Sequence, residues 1–204
     1  MKTLRHLVLI TATCLAVPAV GLAQSPDQAE MNIDSLTQVM QELAQPGPEH
    51  ELLHKMAGTW EETMTVWPQP GADPVVSSAT TTIESILGGR FIMTHSTGTM
   101  FGQPVERYAI IGFDRRHGEY TMVALDNGGT YWITASGPLD EETQTMMLSG
   151  EDFDPVFGFT QTYDMNMRLV NDDEIHSEVI FTNPEMTGGA PEFKMIDVVS
   201  KRKD

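Results

Sequence analysis

Cysteine is nearly absent. The 204 residues hold one, Cys14, within an N-terminal stretch that reads as a removable leader. The remainder therefore has no disulfide, no cysteine nucleophile and no thiolate metal site. Basic residues are also scarce, 12 Lys and Arg against 29 Asp and Glu, giving a formal net charge of -17. A field of that sign disfavours nucleic acid and anionic membrane as partners. It reads first as solubility, and second as a capacity to attract cations or basic partners. There is no G-x-S-x-G elbow, no H-E-x-x-H pair and no phosphate-binding glycine loop. Glu151-Asp152-Phe153-Asp154 is acidic but lacks the spacing of a calcium loop. No long apolar run is present: Leu7 to Val20 is short and interrupted by Pro18, too little to predict a membrane span.

That run fits a secretory signal peptide over 1–23. Lys2 and Arg5 supply the charged start, and Gly21-Leu22-Ala23 the small-residue cleavage site. The expectation is a periplasmic or secreted bacterial protein, cleaved after Ala23, with no membrane insertion afterwards. Apolar residues continue past Cys14, which argues against a lipid anchor there. Residues 24–45 form a polar, then amphipathic arm, with Ile33, Leu36, Val39, Met40 and Leu43 at helical spacing. Residues 46–204 form one domain, long enough to bury its own core.

That domain opens with Pro46-Gly47-Pro48-Glu49-His50-Glu51-Leu52-Leu53-His54-Lys55-Met56-Ala57-Gly58-Thr59-Trp60. The pattern predicts a short helix with Gly47 as N-cap and Pro48 at the first helical position. Gly58 stops it. From Trp60 the period becomes two, with Trp60, Glu62, Met64 and Val66 on one face. About ten strands follow, near 59–67, 75–86, 90–99, 104–113, 118–126, 130–137, 143–150, 159–170, 174–182 and 192–202. Turn residues such as Gly88-Gly89, Asn127-Gly128-Gly129 and Asn171-Asp172-Asp173 separate them. Without helices between strands, the expected fold is all-β. It is an antiparallel up-and-down barrel, closed because closure removes exposed edges.

Gly58-Thr59-Trp60 is similar to the G-x-W start of lipocalin-like barrels. The longer P-G-P-E-H-x-L-L, with Ile86-Leu87-Gly88-Gly89-Arg90-Phe91, Gly112-Phe113-Asp114, His176, Glu178 and Glu192-Phe193-Lys194-Met195, is more specific. Together these resemble a bacterial family of unknown function, domain-of-unknown-function family 1579, considered calycin-like. The resemblance runs from about Pro46 to Lys203. It implies a calycin-like barrel and no particular activity. Lipocalin-like barrels stack a basic residue on the first-strand tryptophan, which gives Arg202 and Trp60 the structural base.

The candidate chemistry lies on strands. Glu106 and Tyr108 share one face, His176 and Glu178 another, and Lys194 sits on the last strand. Were these faces inward, the five would converge into a polar cluster able to bind a small ligand or do acid–base work. Outward polar faces are the default for antiparallel sheet. His95 is a further luminal candidate. Trp132, with Trp67, Tyr131 and Phe157, fits equally the lining or rim of an opening and plain packing. His50 and His54 have metal-pair spacing but no third ligand nearby. Met165 and Met167 suit a core or an adaptable apolar pocket better than a copper site.

The leading expectation is a barrel binding a small, mainly apolar ligand, with neither catalysis nor cofactor. One alternative is an enzyme using inward His176, Glu178 and Glu106. A second is haem, because nitrobindin-type barrels resemble this one at the Gly-Thr-Trp strand; His95 and His176 would be its first candidate ligands. A third is an envelope protein with a solid interior.

Overall fold

The computed structural model describes residues 33–155 and 158–203. The signal-peptide and early-arm assignments, and Phe157, lie outside them. The chain divides into two units, Met1–Gln38 and Val39–Asp204. The described part of the first is the beginning of helix α1 (Ile33–Leu43), where Thr37 Oγ1 donates to the Ile33 carbonyl.

The second unit holds the barrel. Its strands are β1 (Gly58–Val66), β2 (Val75–Ile86), β3 (Phe91–Met100), β4 (Gln103–Asp114), β5 (Glu119–Asp126) and β6 (Ile133–Gly137). There follow β7 (Leu139–Asp140), β8 (Thr145–Asp154), β9 (Phe159–Asn171), β10 (Glu174–Phe181) and β11 (Phe193–Arg202). Every pairing is antiparallel, and each strand lies beside its sequence neighbour except where β11 returns to β1 and β6 meets β8. Those two contacts close a ten-stranded up-and-down barrel, with β7 as a short extra strand. Gly137 and Gly150 make the β6–β8 seam feasible. A Cβ on Gly137 would run into the Met147 carbonyl, and one on Gly150 into the Thr134 carbonyl.

Helix α2 (His50–Lys55) plugs one end. Leu53, Met56 and Trp60 are fully buried there, each contributing about 2–3 kcal/mol by leaving water. The Trp60 indole N–H donates to the Met56 carbonyl at 2.9 Å, which meets the need of a buried ring for a partner. The expected stacking is present, with the Arg202 guanidinium 4.2 Å from the Trp60 ring centroid.

The helix starts later than the sequence suggests. Glu49 is its N-cap, without a side-chain cap bond. Gly47 instead donates its N–H to His50 Nδ1 at 3.0 Å, while the His50 and Glu51 amides reach back to the Gly47 and Pro48 carbonyls. The two prolines force a turn, and the buried His50 ring locks it. At the other end of the barrel, the connection between β10 and β11 contains a short helix, α3 (Pro184–Thr187), with Pro184 in its first turn and Gly188 left-handed at its end. Strand β8 runs on through Glu151–Asp154, because those residues pair with Phe159–Thr162.

Candidate functional site

Register fixes which side chains point inward. Trp60 is inside, and cross-strand partners share a face. The inward rows therefore contain Glu62 on β1, Ala79, Thr81 and Ile83 on β2, and Ile92, Ser96 and Gly98 on β3. Arg107, Ala109 and Ile111 follow on β4, and Tyr120 and Met122 on β5. Across the barrel they contain Met146 and Leu148 on β8, Met165 and Met167 on β9, Ile175 and Val179 on β10, and Ile196, Val198 and Ser200 on β11. Near α2 these rows are packed shut, with Ile92, Ile111, Tyr120, Met146 and Leu148 buried. On the β9–β11 wall, Met165, Met167, Val179, Ile196 and Val198 are only partly buried although they face inward, while Met64, Val66, Tyr163 and Phe181, on inward rows further from α2, are buried.

Among the described residues, one ion pair lies on the inward rows. Arg107 Nη2 donates to Glu62 Oε2 at 2.7 Å, with the side chains 26% and 11% exposed. Glu62 is the cross-strand partner of Ala79, and Ala79 of Gly98. Those small residues leave room for the long arginine to reach across β2 and β3. Ser96, the direct partner of Arg107, bonds Thr81 hydroxyl to hydroxyl at 2.6 Å. Arg107 Nε is buried and has no hydrogen-bond partner.

The sequence candidates lie elsewhere. The inward orientation considered for Glu106, Tyr108, His176 and Glu178 is corrected by the register: these residues alternate with the inward rows and face out. So does His95, which is not luminal. His95 stacks on Tyr108 with ring centroids 4.3 Å apart and donates from Nε2 to Glu106 Oε1 at 2.9 Å. Tyr108 donates to the same oxygen at 3.0 Å. Hydrogen bonds from His95 and then Tyr108 hold the Glu106 carboxyl below its ordinary range, and the bond to Glu106 raises the Tyr108 phenol.

A second outer cluster joins β10 and β11. His176 Nε2 donates to Asp197 Oδ1 at 3.0 Å, and Lys194 bridges Asp197 at 2.9 Å and Glu178 at 3.4 Å. Burial would raise the Asp197 carboxyl, but the bonds from Lys194 and His176 win and keep it low. His176, Glu178 and Asp197 are close enough to ligate one metal. The Lys194 ammonium already occupies the cation position between the two carboxylates. A surface groove of about 330 Å³ adjoins, lined by Thr145, Met147, Asn166, Arg168, His176 and Glu178. Glu106 and Tyr108 belong to the β3–β4 cluster, so the five residues form two separate groups rather than one.

His50 and His54 are not a metal pair either. His50 is buried against the edge of Phe113, and His54 Nε2 bonds the Gly89 carbonyl at 2.9 Å. Burial lowers the His50 imidazole. Met165 and Met167 pack against the core cluster. Trp132 is not in a strand but in the loop before β6, 68% exposed, with Tyr131 beside it. With Phe101 in the β3–β4 turn, they stand exposed at the end opposite α2. Haem finds no inward histidine: the inward rows of the described strands contain none, and His95 and His176 face out.

Sequence reasoning missed Glu62 and Arg107 as a site. The signal was available. Each is a lone charge in an otherwise apolar period-two row, Trp60-Glu62-Met64-Val66 and Val105-Arg107-Ala109-Ile111, and the signs are opposite.

The model of one protein family, "Protein of unknown function (DUF1579)", matches residues 45–202. The chain belongs to this family. No curated protein matches this DUF1579 chain. Among solved structures it is similar to Rv2717c from M. tuberculosis, at 13% identity over 78% of this chain and 100% of that one, with a TM-score of 0.55. It is also similar to a de novo designed fluorescence-activating β-barrel, at 12% identity over 74% of this chain and 96% of that one, with a TM-score of 0.41. At 13% identity the likeness to Rv2717c is one of fold.

Proposed function

We propose that this protein binds a small, mainly apolar molecule in its lumen, entering at the end opposite α2. The observation that carries the reading is the contrast within one set of inward rows. Met146 and Leu148 on β8 are buried, whereas their direct partners Met167 and Met165 on β9, with Val179, Ile196 and Val198 on the strands beyond, face inward and remain partly exposed. Apolar walls that water reaches gain free energy when an apolar ligand displaces that water, and thioethers adapt to varied shapes. Exposed Tyr131, Trp132 and Phe101 offer an aromatic rim.

The reading extends to an exported carrier, supported by the signal-type pattern of 1–23. N-terminal sequencing of the mature protein tests export, with a first residue at Gln24 expected. Native mass spectrometry and an absorbance spectrum of the protein purified from its source test the carrier. A retained apolar mass is expected. A Soret band would instead mean haem. A Val179→Trp variant that takes up apolar fluorophore as well as the wild type would overturn the lumen as the binding place.

A further inference from the structure

A charged pair inside an apolar barrel needs a reason, because apolar residues of the same volume would pack there at no desolvation cost. Glu62 and Arg107 do not link neighbouring strands: β1 and β4 are separated by β2 and β3. Their contact consumes one guanidinium N–H, and Arg107 Nε–H remains buried without an acceptor. Unmet buried donors are rare in folded proteins. Ser96, directly beside Arg107 on β3, and Thr81 pair with each other. Two hydroxyls that share one bond still hold a second proton to donate. The belt is therefore rich in donors, and its charge is balanced by Glu62.

Balance decides the kind of ligand. A free carboxylate reaching Arg107 would meet the Glu62 carboxylate at the same guanidinium, inside a chain of net charge -17. An ammonium would meet Arg107 itself. A neutral oxygen acceptor meets neither penalty and takes the free donor.

We propose that Glu62 and Arg107 are the head-group anchor of the lumen, and that the ligand is an uncharged apolar molecule bearing a carbonyl, such as an ester, ketone or amide. This rests on the lumen-binding reading. The carbonyl oxygen accepts from Arg107 Nε–H, and the apolar body lies along Met165, Met167, Val179 and Val198. Glu62 acts as a selectivity residue: it masks the arginine against anions.

The test is displacement of a neutral fluorophore, N-phenyl-1-naphthylamine, from the full mature protein by three probes of matched length: methyl decanoate, decanoate and undecane. The wild type is compared with Glu62→Gln and with the charge-free double variant Glu62→Gln/Arg107→Met, which leaves no unpaired buried charge. In the double variant methyl decanoate is expected to lose about tenfold relative to undecane, the worth of one hydrogen bond to a charged donor. In Glu62→Gln, decanoate is expected to gain at least tenfold over its wild-type affinity while the ester does not. If the ester loses nothing against undecane in the double variant, the donor is met by water and the assignment falls. If decanoate binds the wild type as tightly as Glu62→Gln, the masking role falls. If neither the fluorophore nor any probe enters the wild type, the lumen reading itself is overturned, and the head-group assignment with it.

Discussion

Arg202 joins the end of the chain to its beginning through Trp60. Its guanidinium lies 4.2 Å from the indole centroid and donates to the Ala57 and Lys55 carbonyls at 2.8 and 3.0 Å, closing off the C-terminus of α2. Nε donates to the Asp172 carbonyl in the β9–β10 turn. One side chain thus ties β11, β1, the plug and a neighbouring turn.

Arg202→Ala is expected to cost about 2–4 kcal/mol, from one cation–π contact and several charge-assisted bonds lost together. Arg202→Lys should recover less than half, since an ammonium cannot form the planar fork. Urea unfolding of the two variants measures this, and equal stability of Lys and wild type would contradict it.

The plug is expected to be the stability centre. Leu53 is fully buried, so Leu53→Ala should lower stability by about 2–5 kcal/mol. Leu52→Ala, at a less buried neighbour, should cost less. Chemical denaturation of both gives the comparison.

Closure at β6–β8 depends on Gly137, where a methyl would meet the Met147 carbonyl. Gly137→Ala is expected to cost about 1–3 kcal/mol through overpacking. It should also speed amide exchange in β6 and β8 before other strands. Hydrogen exchange that rises uniformly over the barrel would argue against a local seam.

Burial lowers the His50 imidazole, and Gly47 N–H donates to its Nδ1. The folded state therefore binds a proton less readily than the unfolded chain. The stability this gives is complete above the unfolded value of about 6.5 and is lost as pH falls through that value toward the lower folded one. His50→Asn retains an acceptor for Gly47 without a titrating ring. Its melting temperature should fall less than that of the wild type between pH 7.5 and 5.5. Parallel slopes would remove His50 from the account.

Paired charges on the outer wall contribute little. His176→Ala and Glu178→Ala are each expected to change stability by no more than about 1 kcal/mol and to leave uptake of an apolar fluorophore unchanged. Loss of uptake in either would relocate the ligand from the lumen to the β10–β11 face.

Much of the architecture is legible in the residues. Gly58 ending a short apolar helix, period two from Trp60 onward and a turn signal after nearly every strand specify local conformations, because propensity and alternation act within a few residues. The partnership of Trp60 with Arg202 is legible only through resemblance, since 142 positions separate them.

Orientation is another matter. On β10, Ile175-Ser177-Val179 and His176-Glu178-Ile180 each mix apolar and polar groups, so alternation cannot say which row is inside. On β4 the charges Glu106 and Arg107 are adjacent and necessarily face opposite ways. What chose between them is closure. Trp60 seated on α2 sets one face of β1 inward, and each antiparallel pairing passes that choice to the next strand around the barrel. That chain of pairings turns His95, Glu106, His176 and Glu178 outward. It also brings Glu62 to Arg107, 45 residues away. The sequence by itself determined that there would be strands, turns and a plug. The tertiary structure alone decided which charges meet inside, because a contact that skips two intervening strands is a property of the closed barrel and of no local segment.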